Sequence, residues 1–267
     1  MPLRWVQRLG CLLGWLWFHA LPIRRRVVLE NLGRAFPELS PGRRRLIAAG
    51  VFGHVATTAL ELLWLGPRRH ARLDRVVRVE GLEQYRALRD QGRGVVAVTA
   101  HLGNWDFLAC SQALAGVPLS VVTKELHAPG LSRLWMERRR DAGVTLIPAR
   151  GSVLAILRAL RRGEVVGLVV DQRTPADEGG ALLPFFGVPA WTTLAPHVLA
   201  ARTGAALLPV WSTRARDGTH VVRIGAEIAI GRTPEETMTA VNHVVEAWVR
   251  WHPEQWLWLH RRWAAAD

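Results

Sequence analysis

The sequence predicts an α/β fold: a mostly parallel central sheet flanked by helices, with an N-terminal helical extension. Three observations predict it. From Val76 onward, short apolar runs alternate with stretches whose apolar residues recur at helical spacing, the pattern of strands joined by helical crossovers. The 267 residues suffice for one sizeable core, and hydrophobic residues make up 49% of them, too many for a disordered chain. No internal repeat, low-complexity tract or linker divides the chain, so residues 71–267 are expected to form one α/β domain behind an extension over residues 1–70.

The extension opens with an apolar stretch at 9–21 that carries Trp15 and Trp17, with Trp5 just before it. It is shorter than the ~20 residues that cross a bilayer. His19 interrupts it, and Arg24-Arg25-Arg26 follow at once. It lacks a small-residue cleavage site and so does not read as a signal peptide. Two readings stay open here. One is an interfacial or re-entrant membrane anchor held by the arginines, and the other a helix docked on the domain's own core.

Next, Leu46, Ile47, Val51, Val55, Ala59, Leu62 and Leu63 recur at helical spacing within 43–65, and Gly66-Pro67 stop the helix. The strand candidates are 76–79, 95–100, 120–124, 146–149, 165–170, 206–212 and 220–225. Helical patterns fall between them at 83–91, 105–115, 131–142, 153–162 and 193–203, and a closing helix is expected at 235–251.

The formal net charge is +13, and Lys124 is the only lysine among 35 basic residues. An arginine bias of this kind weakens arguments from any single arginine, but the uncompensated charge still calls for an anionic partner: nucleic acid, an anionic membrane surface, an acidic carrier protein or a phosphorylated lipid. The 13 Trp against one Tyr favour the membrane surface. No helix-turn-helix, zinc or RNA-stacking signature supports nucleic acid. Cys11 and Cys110 lie far apart in dissimilar contexts, which fits neither a disulfide framework nor a metal knuckle and suggests a reducing, cytosol-facing compartment.

The chemistry centres on His101-Leu102-Gly103-Asn104-Trp105-Asp106, directly after the apolar run 95–100. Gly103-Asn104 read as the turn and cap that start a helix, which leaves a histidine at a strand end and a carboxylate in the first helical turn. An imidazole there can take a proton from an attacking hydroxyl while the carboxylate fixes its tautomer. The residues alone equally allow Asp106 as a helix-dipole partner and His101 as an ordinary strand-end histidine. No second His or Cys stands at ligand spacing, so no metal is expected. The G-x-S-x-G elbow of a serine hydrolase is missing.

Six blocks in order add to this reading. They are Val28-Leu29-Glu30-Asn31-Leu32 with Ala35-Phe36-Pro37-Glu38, the His101–Asp106 block, Asp171-Gln172 after an apolar strand, Phe185-Phe186-Gly187-Val188-Pro189-Ala190, Gln255-Trp256-Leu257-Trp258, and Arg261-Arg262-Trp263. In them the chain resembles the late acyltransferases of lipid A biosynthesis, within the glycerolipid acyltransferase superfamily and its HxxxxD signature. Asp106 stands where that family more often has Glu.

The resemblance implies an O-acyltransferase that moves a fatty acyl chain from acyl carrier protein, or acyl-CoA, to a hydroxyl of a membrane glycolipid. A lipid A precursor is the first expectation; a lysophospholipid or a phosphatidylinositol mannoside-type glycolipid is the alternative acceptor. It implies His101 as general base and Asp106 as its orienter. Asn104, Lys124, Arg139, Arg150, Asp171 and Gln172 are the expected substrate-binding residues. No cofactor is expected. The partners would be acyl carrier protein, the glycolipid and an anionic membrane surface, and the site would face the cytoplasm at the bacterial inner membrane.

Overall fold

The computed structural model describes residues 1–123, 128–149 and 151–263. Three helices come first: α1 (Leu3–Ala20), α2 (Arg25–Ala35) and α3 (Pro41–Trp64). Strands and helices then alternate as β1 (Val77–Glu80), α4 (Leu82–Asp90), β2 (Val95–Thr99), α5 (Trp105–Leu114), β3 (Leu119–Thr123), α6 (Pro129–Asp141), β4 (Thr145–Pro148), α7 (Val153–Arg161) and β5 (Val165–Val169). A hairpin of β6 (Gly180–Phe185) and β7 (Val188–Thr193) precedes α8 (Ala195–Thr203), β8 (Ala206–Arg214), β9 (His220–Ile224) and α9 (Pro234–Trp251).

Seven strands form the main sheet in the order β1-β9-β8-β2-β5-β3-β4, and only β8 and β9 pair antiparallel. This is the expected mostly parallel sheet. The β6–β7 hairpin is the element that periodicity does not reveal, because Phe186 and Gly187 form its turn with positive φ inside an apolar block. Both faces of the sheet are covered. Along β2, Val96 and Val98 enter one core with α2, α3, α8 and α9, while Val95 and Ala97 enter the other with α4 and α5.

The N-terminal helices share these cores: Phe18, Val28, Leu32, Val51 and Phe52 pack in the same cluster as the strands. α1 lies against α3, and Gly10 and Gly14 allow the approach. A Cβ on Gly14 would stand 2.3 Å from the Phe52 carbonyl oxygen, so no larger residue fits there without parting the helices. The opposite face of α1 presents Trp5, Leu9, Leu12, Leu13, Trp15 and Leu16 to the outside. α3 is, among the described residues, the one helix long and apolar enough to cross a membrane. It is nevertheless a core helix here, because it carries the fully buried, hydrogen-bonded Glu61.

Candidate active site

β2 and β5 are parallel neighbours with Thr99 opposite Val169, so His101 and Asp171 each stand two residues beyond paired positions on the same sheet edge. They meet there. Asp171 Oδ1 lies 2.8 Å from His101 Nδ1, and Oδ2 accepts from the His101 backbone N–H at 2.8 Å and from Trp256 Nε1 at 2.7 Å. Burial alone would raise the Asp171 carboxyl, but the neighbouring His101 and these hydrogen bonds outweigh it and hold it below the usual carboxylate range. An ionised acceptor places the proton of the neutral imidazole on Nδ1 and leaves Nε2 as its basic nitrogen. His101 lines a cavity of about 600 Å³ whose wall includes Val55, Ala59 and Leu62 of α3 and Trp135 and Arg139 of α6.

The turn that carries His101 is tied down from two sides. Gly103 has φ 61°, and a Cβ there would lie 2.1 Å from the Ser212 carbonyl oxygen, so only glycine fits. The C-terminal segment pairs with the turn: Gly103 N–H donates to Gln255 O at 3.0 Å, Leu257 N–H to His101 O at 3.0 Å, and Leu102 bridges to Trp256.

Asp106 is not the partner of His101, which corrects the expectation from spacing. Its Oδ1 accepts from Arg139 Nε and from Trp135 Nε1, both at 2.7 Å, and Arg139 also stacks on the Trp135 ring at 4.1 Å. The reason is geometric. Asp106 sits in the first turn of α5 and meets α6, whereas the strand register already supplies His101 with Asp171. Both Asp106 and Arg139 line the cavity, so a nearly buried guanidinium is held in its wall by a carboxylate.

The expected substrate contact by Asn104 is likewise corrected. Its side chain is fully buried, and its Oδ1 caps α5 by accepting from the N–H groups of Asp106 and Phe107. Its Nδ2 donates to Glu61 Oε2 at 2.8 Å. Gln172 lines the cavity, whereas Asp171 reaches it only through His101. Lys124 and Arg150 lie outside the described residues.

Sequence reasoning missed the group behind the turn. Glu61 is fully buried and accepts from Gln7 Nε2 (2.8 Å), Asn104 Nδ2 (2.8 Å), Arg214 Nε (3.0 Å) and Nη2 (2.5 Å), and His220 Nε2 (3.1 Å). Burial opposes its charge, but His220 and Arg214 outweigh that and keep it below the ordinary range. Beside it His54 takes a hydrogen bond from Arg214 Nη1 on Nδ1 (2.8 Å), so its Nε2–H donates to the Gly103 carbonyl at 2.9 Å. The available signal was Glu61 itself, an acid inside the apolar pattern of α3.

Burial first, and Arg214 next, push His54 down to about 3 from its ordinary 6.5. A depressed folded value means that stability is complete above pH 6.5 and is lost as the pH falls from there toward 3. The loss should approach ~1.4 kcal/mol per pH unit. Urea unfolding at stepped pH should show this slope, and His54→Gln should flatten it; an equal slope in both proteins would remove His54 as its source.

The model of the family described as bacterial lipid A biosynthesis acyltransferase matches residues 1–265. The chain belongs to that family. This acyltransferase is 30% identical over 268 residues to the lipid A biosynthesis lauroyltransferase of Escherichia coli K12, covering 98% of this chain and 86% of that one. It is 29% identical to the palmitoleoyltransferase of the same organism, with 95% and 83% covered. Against a phosphatidylinositol mannoside acyltransferase of Mycobacterium tuberculosis it is 26% identical, with 88% and 76% covered. Among solved structures it aligns with the 1-acyl-sn-glycerophosphate acyltransferase PlsC of Thermotoga maritima at a TM-score of 0.42 and 17% identity, covering 94% and 99% of the two chains.

Proposed function

We propose that this acyltransferase moves a fatty acyl chain from the thioester of acyl carrier protein to a hydroxyl of a lipid A precursor. The observation that carries the mechanism is His101, pinned through Nδ1 by a buried carboxylate on the wall of a cavity with apolar and cationic linings. The acceptor hydroxyl gives its proton to Nε2 while its oxygen attacks the thioester carbonyl. Asp171 keeps the tautomer and stabilises the imidazolium that forms. The tetrahedral oxyanion is stabilised by Arg139, which Asp106 and Trp135 hold at the cavity. Collapse breaks the C–S bond, and the imidazolium returns its proton to the departing thiolate. Lipid A is the favoured acceptor because the lauroyltransferase of Escherichia coli matches over nearly the whole chain.

Mass spectrometry of membrane lipids from cells with and without the gene tests this reading. One acyl chain missing from lipid A is expected. An unaltered lipid A with a chain missing from a phosphatidylinositol mannoside or a phospholipid would move the acceptor elsewhere.

The outer face of α1 supplies the membrane contact in this reading. It exposes two tryptophans and four leucines along one side, while the other side is fixed on α3, so the helix lies in the plane of the interface. The bilayer would have the cytoplasmic leaflet's anionic surface, which complements the net charge of +13. Leu12→Glu with Trp15→Glu should lower binding to anionic vesicles by at least about tenfold, since each apolar side chain withdrawn from water contributes roughly 1.5–3 kcal/mol. Sedimentation with vesicles checks this; unchanged binding would exclude α1 as the contact.

A further inference from the structure

Two carboxylates beside the histidine turn, Asp106 and Asp171, are each held by one indole N–H: Asp106 by Trp135 and Asp171 by Trp256. The second of these pairs involves the C-terminal segment. Trp258 and Trp263, from the same segment, use their N–H groups on main-chain carbonyls, of Pro253 and Phe185. Trp256 instead donates to the carboxylate that grips His101, and it does so from a buried position packed on Phe185 and Trp258. Its backbone meanwhile bridges to Leu102 in the histidine turn.

We propose that Trp256 is a positioning residue for acyl transfer: its indole N–H bonds Asp171 Oδ2 at 2.7 Å, moderates the pull of that carboxylate on the Nδ1 proton of His101, and so sets where the rate falls on the acid side. The inference rests on the reading of His101 as the base.

Among the described residues the buried Asp171 accepts three hydrogen bonds, two from His101 and one from Trp256. An apolar ring in place of the indole removes the one donor that does not come from the histidine. The carboxylate then carries more uncompensated charge in a low-dielectric site and attracts the imidazolium more strongly. The histidine would keep its proton to higher pH, where it cannot act as base. The other charged or titratable groups around the pair are His260 and Arg262 of the same segment, which interact with it electrostatically, and Asp106, Arg139, Arg173 and Glu178, which line the cavity that His101 faces. His260 is pushed down to about 4 by burial, so it stays neutral across the range in question.

The test is the pH dependence of kcat/KM for acyl transfer in the parent protein and in Trp256→Phe, with His101→Ala as the control. The acid limb of Trp256→Phe should move up by about half to one pH unit, a fraction of the roughly one to two units that a whole hydrogen bond to a charged group represents, because the bond is lost from both protonation states of the pair. A role in packing alone would lower kcat or thermal stability and leave the limb in place, which would overturn the inference. Should Trp256→Phe fail to fold, the Trp256 indole N–H resonance in the unsubstituted protein serves instead. It should shift with a midpoint matching the acid limb, and a resonance constant across that range would overturn the inference. A fully active His101→Ala would overturn the base and this inference together, whereas an inactive His101→Ala with an unmoved limb in Trp256→Phe would overturn only the role of Trp256.

Discussion

Replacing His101 by alanine should lower the single-turnover rate of acyl transfer by about 10²–10⁴-fold, with little change in donor binding. Among the described residues the imidazole is the one group at the cavity with both a fixed tautomer and a basic nitrogen, and it contributes in the transition state rather than to binding. Asp171→Asn should cost nearly as much. Two N–H donors, the His101 backbone and Trp256, require an acceptor at the Oδ2 position, so the asparagine oxygen would take that place and turn its amide N–H toward Nδ1, which loses the tautomer that keeps Nε2 basic. Rapid-quench measurement with labelled acyl carrier protein reads both rates. A His101→Ala protein with undiminished transfer would remove the histidine from the chemistry.

The largest expected effect on stability lies behind the site. Glu61→Ala leaves the half-buried Arg214 and the fully buried His220 without their carboxylate, and it strips Asn104 of the acceptor that anchors the α5 cap. Breaking a buried ion pair from one side typically costs about 3–5 kcal/mol. For a chain of this size that is a drop of roughly 10 °C in Tm, read by thermal unfolding. Glu61→Gln, which keeps the shape and part of the hydrogen bonding, should lose less. The same network carries the Gly103 carbonyl on His54, so activity should fall with stability. A Glu61→Ala protein within about 1 kcal/mol of the parent would show that these charges find other partners.

The strand and helix pattern was legible because both faces of the sheet are covered at its centre, so central strands such as β2 and β5 are short apolar runs bounded by polar residues. His101 was legible for the same reason, as a polar residue at the end of such a run. Asp171 was equally visible as a strand-end acid, but its partner was not. Pairing across parallel strands depends on register, and Thr99 opposite Val169 is set by 70 residues of intervening fold. Spacing along the chain favoured Asp106 instead, and the first turn of α5 carries that side chain toward α6. Asn104 showed its capping role in sequence, and only the packing of α3 reveals what holds its other end. The network of Gln7, His54, Glu61, Arg214 and His220 unites three distant segments, and no local pattern marks such an assembly.

The division of labour between the two carboxylates, Asp171 on the histidine and Asp106 on Arg139, is tested most directly by proton NMR of the His101 ring. The hydrogen-bonded Nδ1 proton should give a low-field signal that is absent in His101→Gln. It should persist in Asp106→Asn and vanish in Asp171→Asn. Loss of the signal in Asp106→Asn, with retention in Asp171→Asn, would contradict the assignment.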